Sequence, residues 1–159
     1  MILALFANFI KHRIPIFLIS FLEGTRFTPG KLKKSQEFAK SRGLYVPQYT
    51  LVPRTKGFVA SIHGLHEHVD AVYDITIGYT GEKPSLVDCF AVNVPKVNIH
   101  VRRFPIADLP VGDDEALNQW VFDRYREKDE LLIDFHARGT FPGERTLGPI
   151  RIRDWFTRV

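Results

Sequence analysis

Glu23, Gly24, Thr25 and Arg26 put a carboxylate, a glycine, a hydroxyl and a guanidinium in immediate succession. Such a group can hold an anion. The guanidinium is a planar fork of donors that matches two phosphate oxygens at once. Gly24 lets the backbone turn sharply and approach a ligand closely. The plainer alternative is a surface loop with a local Glu–Arg pair, which stabilises a fold by about 0–1 kcal/mol. A second basic group follows at Arg54, Thr55, Lys56 and Gly57, directly after Pro53. It either adds anion contacts at a helix N-terminus, where free N–H groups point outward, or Pro53 ends a strand and the charges face solvent.

Both groups need elements to position them. Ile14, Ile16, Phe17, Leu18 and Ile19 make a run that is apolar on nearly every position. It predicts a short strand over 15–21, covered on both faces. Charged and permissive residues at the end of such a strand are where open α/β sheets bind ligands. The pattern further predicts helices over 2–12, 31–42 (ended by Gly43) and about 56–66, and a short strand over 49–52. Alternation predicts strands over 71–79, with one face better buried, and around 97–102. Asp113, Asp114 and Glu115 open a last long helix, with Asp113 its cap. Its apolar stripe runs through Leu117, Trp120, Val121, Tyr125, Leu131, Leu132 and Phe135. Trp120 is expected in the core. Strands alternating with helices indicate an α/β architecture, and glycines and prolines make residues 139–159 an irregular tail.

The stretch FLEGTR, ending at Arg26, resembles the FPEGTR motif of the glycerolipid acyltransferases that make phosphatidic acid from lysophosphatidic acid, with Leu22 where that motif has Pro. LVPRTKGF, around Arg54, is similar to the family's Pro-containing fourth motif. The strand containing Tyr73, Asp74, Ile75 and Thr76 is similar to family members, as is Trp120 followed by Lys128, Asp129, Glu130, Leu131 and Leu132. The resemblance covers about residues 14–142. It implies an αβα acyltransferase domain with a mostly parallel or mixed sheet flanked by helices. It makes Glu23, Gly24, Thr25, Arg26, Pro53, Arg54 and Lys56 the substrate-binding residues. Arg26 would take the acceptor phosphate, and Glu23 would organise the loop or bind a glycerol hydroxyl.

The family's catalytic motif is a His, four residues, then Asp, lying upstream of EGTR. None of His12, His63, His66, His68, His100 and His136 has an Asp five positions on; Asp70 follows His66 by only four. Residues 1–159 therefore read as a single partial acyltransferase domain, with no catalytic residue identified. The implied reaction moves a fatty acyl group from acyl-CoA or acyl-carrier protein to lysophosphatidic acid, with no metal or bound cofactor. A positioned base contributes about 10²–10⁴-fold, so the chain is expected to bind better than it catalyses. The rival readings are a non-catalytic lipid- or phosphate-binding module, and a nucleic-acid-binding protein using the basic segment, for which no recognised motif is present. His63, His66 and His68 could share a metal ion, but no Cys lies near; solvated or capping roles are the simpler account. His100 and His136 read as ordinary, partly exposed residues.

Composition agrees with one globular domain. Cys89 is the only cysteine, which excludes a disulfide within the chain and fits a reducing compartment. The net charge of +4 is uneven. Residues 26–56 hold eight Lys or Arg and one acid, whereas residues 108–136 hold nine acids and three basic residues. A basic first part suits an anionic substrate or an anionic membrane surface on the cytoplasmic face; a solvated helix face is the alternative. Met1 to Ile10 is apolar apart from Asn8. Neither this run nor the next approaches the roughly 20 residues of a membrane span. Attachment would be peripheral, through the apolar start or through Lys31, Lys33, Lys34, Lys40 and Arg42.

Overall fold

A computed structural model describes residues 2–81 and 97–144, with side chains from Phe6 onward. Helix α1 spans Ile2–Lys11. Helix α2, Pro29–Arg42, starts two residues before the pattern predicts, because Thr28 caps it. The Thr28 hydroxyl accepts from the Lys31 N–H at 3.3 Å, and Pro29 occupies the first turn, where no N–H is missed. Gly43 ends it in the left-handed region, φ 64°. Helix α3 is Lys56–Leu65. Strands β1, Ala71–Tyr79, and β2, Val97–Pro105, pair antiparallel with Ile75 opposite Val101. One 3-10 turn, Ile106–Asp108, leads toward helix α4, Asp114–Arg138. Asp113 caps α4 by accepting from the Glu115 and Ala116 N–H groups at 2.9 and 3.0 Å.

The core lies between α3, the 3-10 turn and α4. Phe58, Val59, Ile62, Ile106, Leu109, Leu117 and Val121 are buried there. Each such side chain contributes about 1.5–3 kcal/mol on leaving water. Trp120 packs on this cluster, stacked 5.6 Å from Phe58 and edge-on 5.3 Å from Phe104.

The architecture is mixed α/β, but two strands are absent where the pattern predicts them. Residues 15–21 form none: Phe17 is 92%, Ile19 76% and Phe21 84% exposed. A strand buried on both faces needs neighbours to bond and layers to cover it. Among the described residues the sheet consists of β1 and β2 alone, antiparallel, so the mostly parallel or mixed sheet is not found there either. Residues 49–52 are also irregular; their backbone bonds to side chains instead of to a strand.

The hairpin turns its polar face inward. Asp74, Thr76 and Arg102 meet the charged flank of α4, where Asp74 lies 2.5 Å from Lys128 and 2.7 Å from Arg102. Glu127 answers both Arg102 and Arg124. Phe135 lies so close to Gly78 that any Cβ there would stand 2.7 Å from the ring. Tyr73, Ile75, Ile77, Ile99 and Val101 are left about half exposed on the other face. Alternation predicted one better-buried face; the charges of α4 make it the polar one.

Candidate functional site

Leu22 and Arg54 join the two basic motifs. The Arg54 N–H donates to the Leu22 carbonyl at 2.7 Å. The Arg54 side chain then lies across Gly24. A Cβ at Gly24 would stand 3.1 Å from Arg54 Cδ and 3.3 Å from its Nε, and Gly24 has φ +65°. Both the turn and the close approach therefore require glycine. The Gly24 N–H closes the turn on the Phe21 carbonyl at 3.0 Å. Thr25 is tied to the next helix, its hydroxyl accepting from the Lys31 ammonium. Pro53 is buried behind the loop. Lys56 opens α3 after Thr55, whose side chain does not cap it, so the first N–H groups of that turn stay open to a ligand.

The electrostatics favour an anion. Arg26, Arg54 and Lys56 are exposed. With Lys31 they give the two loops four cations. Glu23 is partly buried, and its charge acts on Tyr125 of α4. Burial first, then Glu23 and Asp74, push the Tyr125 phenol above its ordinary range, against a hydrogen bond from the Leu22 backbone. Tyr125 is thus a neutral wall behind the loop. A cleft of about 250 Å³ continues past Pro53, lined by Tyr45, Thr50, Val52, Phe122 and Tyr125. A wider cleft near His100 and Arg102 is lined by none of the motif residues.

Asp129 is the residue whose part the pattern did not reveal. It is fully buried on α4 and receives five hydrogen bonds from the loop before Pro53. The signs in the sequence were its place in the stretch after Trp120 that is similar to family members, and an acid at helical spacing from the apolar Tyr125 and Leu132, on an inward face.

The histidines serve separate contacts. His63 lies 2.5 Å from Asp114 and His66 3.1 Å from the His63 carbonyl. His68 lies 2.7 Å from the Ile14 carbonyl, and His136 stacks on Tyr49 at 4.2 Å. His100 faces α4; burial, then Arg102, lower its pKa. Among the described residues no group of three His, Cys, Asp or Glu could hold a metal ion.

Residues 89–156 match the family model described as the acyltransferase C-terminus. Over 141 residues the chain is 38% identical to a probable 1-acyl-sn-glycerol-3-phosphate acyltransferase 5 of Arabidopsis thaliana, covering 88% of this chain and 37% of that one. It is 41% identical to 1-acyl-sn-glycerol-3-phosphate acyltransferase 2 of the same plant, over 82% of this chain and 34% of the relative. The human gamma form is also 41% identical, over 82% and 35%. The chain belongs to this acyltransferase family. It matches a C-terminal portion of these longer acyltransferases and spans about a third of their length. No solved structure matches it. The acyltransferase motifs around Gly24 and Arg54 lie upstream of the part matched by the family model. Among the described residues no helix is long and apolar enough to cross a membrane.

Proposed function

We propose that this chain supplies the acceptor-phosphate site of a lysophosphatidic acid acyltransferase. The observation that carries this reading is the contact of Arg54 with Gly24, which brings the second basic group onto the tight turn that precedes Arg26. The phosphate monoester of lysophosphatidic acid would be held by Arg26 and Arg54, with Lys56 and the first N–H groups of α3 adding field. Glu23 and Thr25 shape the loop, and Pro53 sets the entry to the second one. The free hydroxyl of the acceptor attacks the carbonyl of an acyl-CoA or acyl-carrier-protein thioester. The C–S bond breaks, the acyl C–O bond forms, and the hydroxyl proton ends on the departing thiol. Neither a metal nor a bound cofactor enters that scheme.

The proton must pass through a base, and no His-x4-Asp spacing exists in these residues. Residues 1–159 are accordingly one partial domain, the two strands among its described residues part of a larger sheet in the whole enzyme, with little turnover alone. The lipid nature of acceptor and product supports work at a membrane surface, and the same reading has this surface anionic, on the cytoplasmic side, and reached through the basic cluster that includes Lys33 and Lys34.

The test compares two lipids that differ in headgroup. The purified chain should bind lysophosphatidic acid at least tenfold tighter than lysophosphatidylcholine, whose phosphate is a shielded diester, and Arg54→Ala should erase the preference. Equal binding of both lipids, or an unchanged preference in Arg54→Ala, overturns the reading.

A further inference from the structure

We infer that Asp129, on α4, is a positioning residue for the site, holding the loop that sets Arg54 against Gly24. The inference rests on the phosphate-site reading above and adds a residue to which the resemblance assigned no role.

The Asp129 carboxylate is wholly enclosed by donors. Oδ1 accepts from the Tyr49 and Thr50 N–H groups at 2.7 and 2.8 Å, and from the Thr50 hydroxyl at 3.1 Å. Oδ2 accepts from the Gln48 N–H at 2.8 Å and the Tyr45 hydroxyl at 3.1 Å. Three consecutive backbone N–H groups aimed at one point form an anion cradle. Here the anion belongs to the protein and comes from a helix some eighty residues along the chain. Partial burial, then Asp129, push the Tyr45 phenol up to about 12, so it stays a donor at neutral pH.

The hold continues straight into the site. After Thr50, Leu51 is buried, the Val52 N–H donates to Ser35 Oγ at 2.8 Å, Pro53 is buried, and Arg54 bonds to Leu22. The backbone from residue 48 to residue 54 therefore has little freedom. Tyr125 stands one helical turn before Asp129 and meets the backbone at Leu22, so the two side chains point the same way along α4. One helix face thus carries the backing of both anion loops, and the spacing between them is the spacing of residues 125 and 129. Displacing a binding group by about 1 Å can cost up to 10²-fold in function.

The experiment uses the ¹⁵N-labelled full chain, its Asp129→Asn variant, and Asp134→Asn on the exposed side of α4 as control. The amide of Asn turns an N–H₂ toward the loop donors, so at least one oxygen's bonds are lost while volume is kept. Two readouts are taken: the Kd for glycerol 3-phosphate by shifts of the Gly24 and Arg54 amides, and hydrogen exchange at Arg54 against α2 amides. Asp129→Asn should raise Kd about tenfold and speed Arg54 exchange about tenfold, with α2 unchanged. Arg54→Ala should make Asp129→Asn silent in Kd, because the two act through one contact. A folded Asp129→Asn with wild-type Kd and wild-type Arg54 exchange overturns the inference, as does a loss of affinity that simply adds to that of Arg54→Ala. If the unaltered chain binds no glycerol 3-phosphate, the phosphate reading fails, and exchange at Arg54 still decides the positioning claim. If Asp129→Asn does not fold, Tyr45→Phe combined with Thr50→Val removes only the two hydroxyl bonds. That pair should raise Kd or exchange about threefold; no change in either overturns the inference.

Discussion

Phe21 is exposed at the end of an apolar run, while its neighbour Leu22 is partly buried, with its carbonyl bonded to Arg54. The border between a loose segment and a tightly specified one falls between them. Residues 15–21 depend on surface area, and area is satisfied only by other layers of a domain. Residues 22–26 and 53–56 depend on directional contacts: an N–H on a carbonyl, a guanidinium across a glycine, a buried carboxylate holding the loop between. Their partners α2, α3 and α4 all lie within this chain. Polar anchoring can therefore be complete in a chain that spans about a third of its relatives' length, while hydrophobic burial is not.

The largest test of that contrast is Asp129→Ala. Leaving the buried Thr50 N–H and two part-buried N–H groups without an acceptor should cost about 2–3 kcal/mol, read as a lower urea midpoint. A loss under about 1 kcal/mol would mean that water replaces the carboxylate and that the loop is not anchored as described.

Gly24→Ala comes next. A left-handed residue with a Cβ costs about 1–2 kcal/mol, and here it also pushes on Arg54. Stability should fall by that amount, and the Arg54 amide should shift in the ¹⁵N spectrum. An unmoved Arg54 signal would separate the two loops.

Asp74 sharpens the contrast through pH. Burial would raise its pKa, but Lys128 and then Arg102 outweigh it and hold the carboxyl below its ordinary range. A depressed carboxyl contributes stability above its unfolded pKa of about 3.9 and loses it as pH falls through the lower folded value. The contribution of Asp74 to unfolding free energy should therefore hold from pH 7 to about 5 and decline below about 4. Asp74→Asn should flatten that acid limb; an unchanged limb would assign it to other carboxylates.

The smallest effect belongs to the loose segment. Phe17→Ser should change stability by no more than about 0.5 kcal/mol, as for other exposed positions. A loss above about 1 kcal/mol would show that residues 15–21 are covered in solution and would erase the contrast.

These differences follow what was legible in the sequence. The helices and β1 were readable because caps and periods are local: Gly43, Asp113, and the alternation from Ala71 to Tyr79, whereas the Thr28 cap was not read and α2 starts two residues early. The motif residues were readable as types, and Gly24 for its backbone. Their contact was not, since it depends on Arg54 folding back some thirty positions onto Gly24. Apolar density at 15–21 suggested a buried strand, but density measures demand for cover and not its supply. The inward face of β1 was not settled by alternation. Lys128 and Glu127, on a helix fifty residues away, drew Asp74 and Arg102 inward instead of the isoleucines.

That inverted hairpin also decides how the chain behaves in a concentrated tube. Among the described residues, the outer edge of each strand pairs with no further strand and runs beside a row of isoleucine and valine. Within that row the charge comes from Arg103 alone, opposite Tyr73. An edge of this kind can recruit the same edge of another molecule and grow a continuous ribbon. The chain should cloud with time at high concentration, with rising thioflavin fluorescence, and one added charge, Ile99→Lys, should keep it clear.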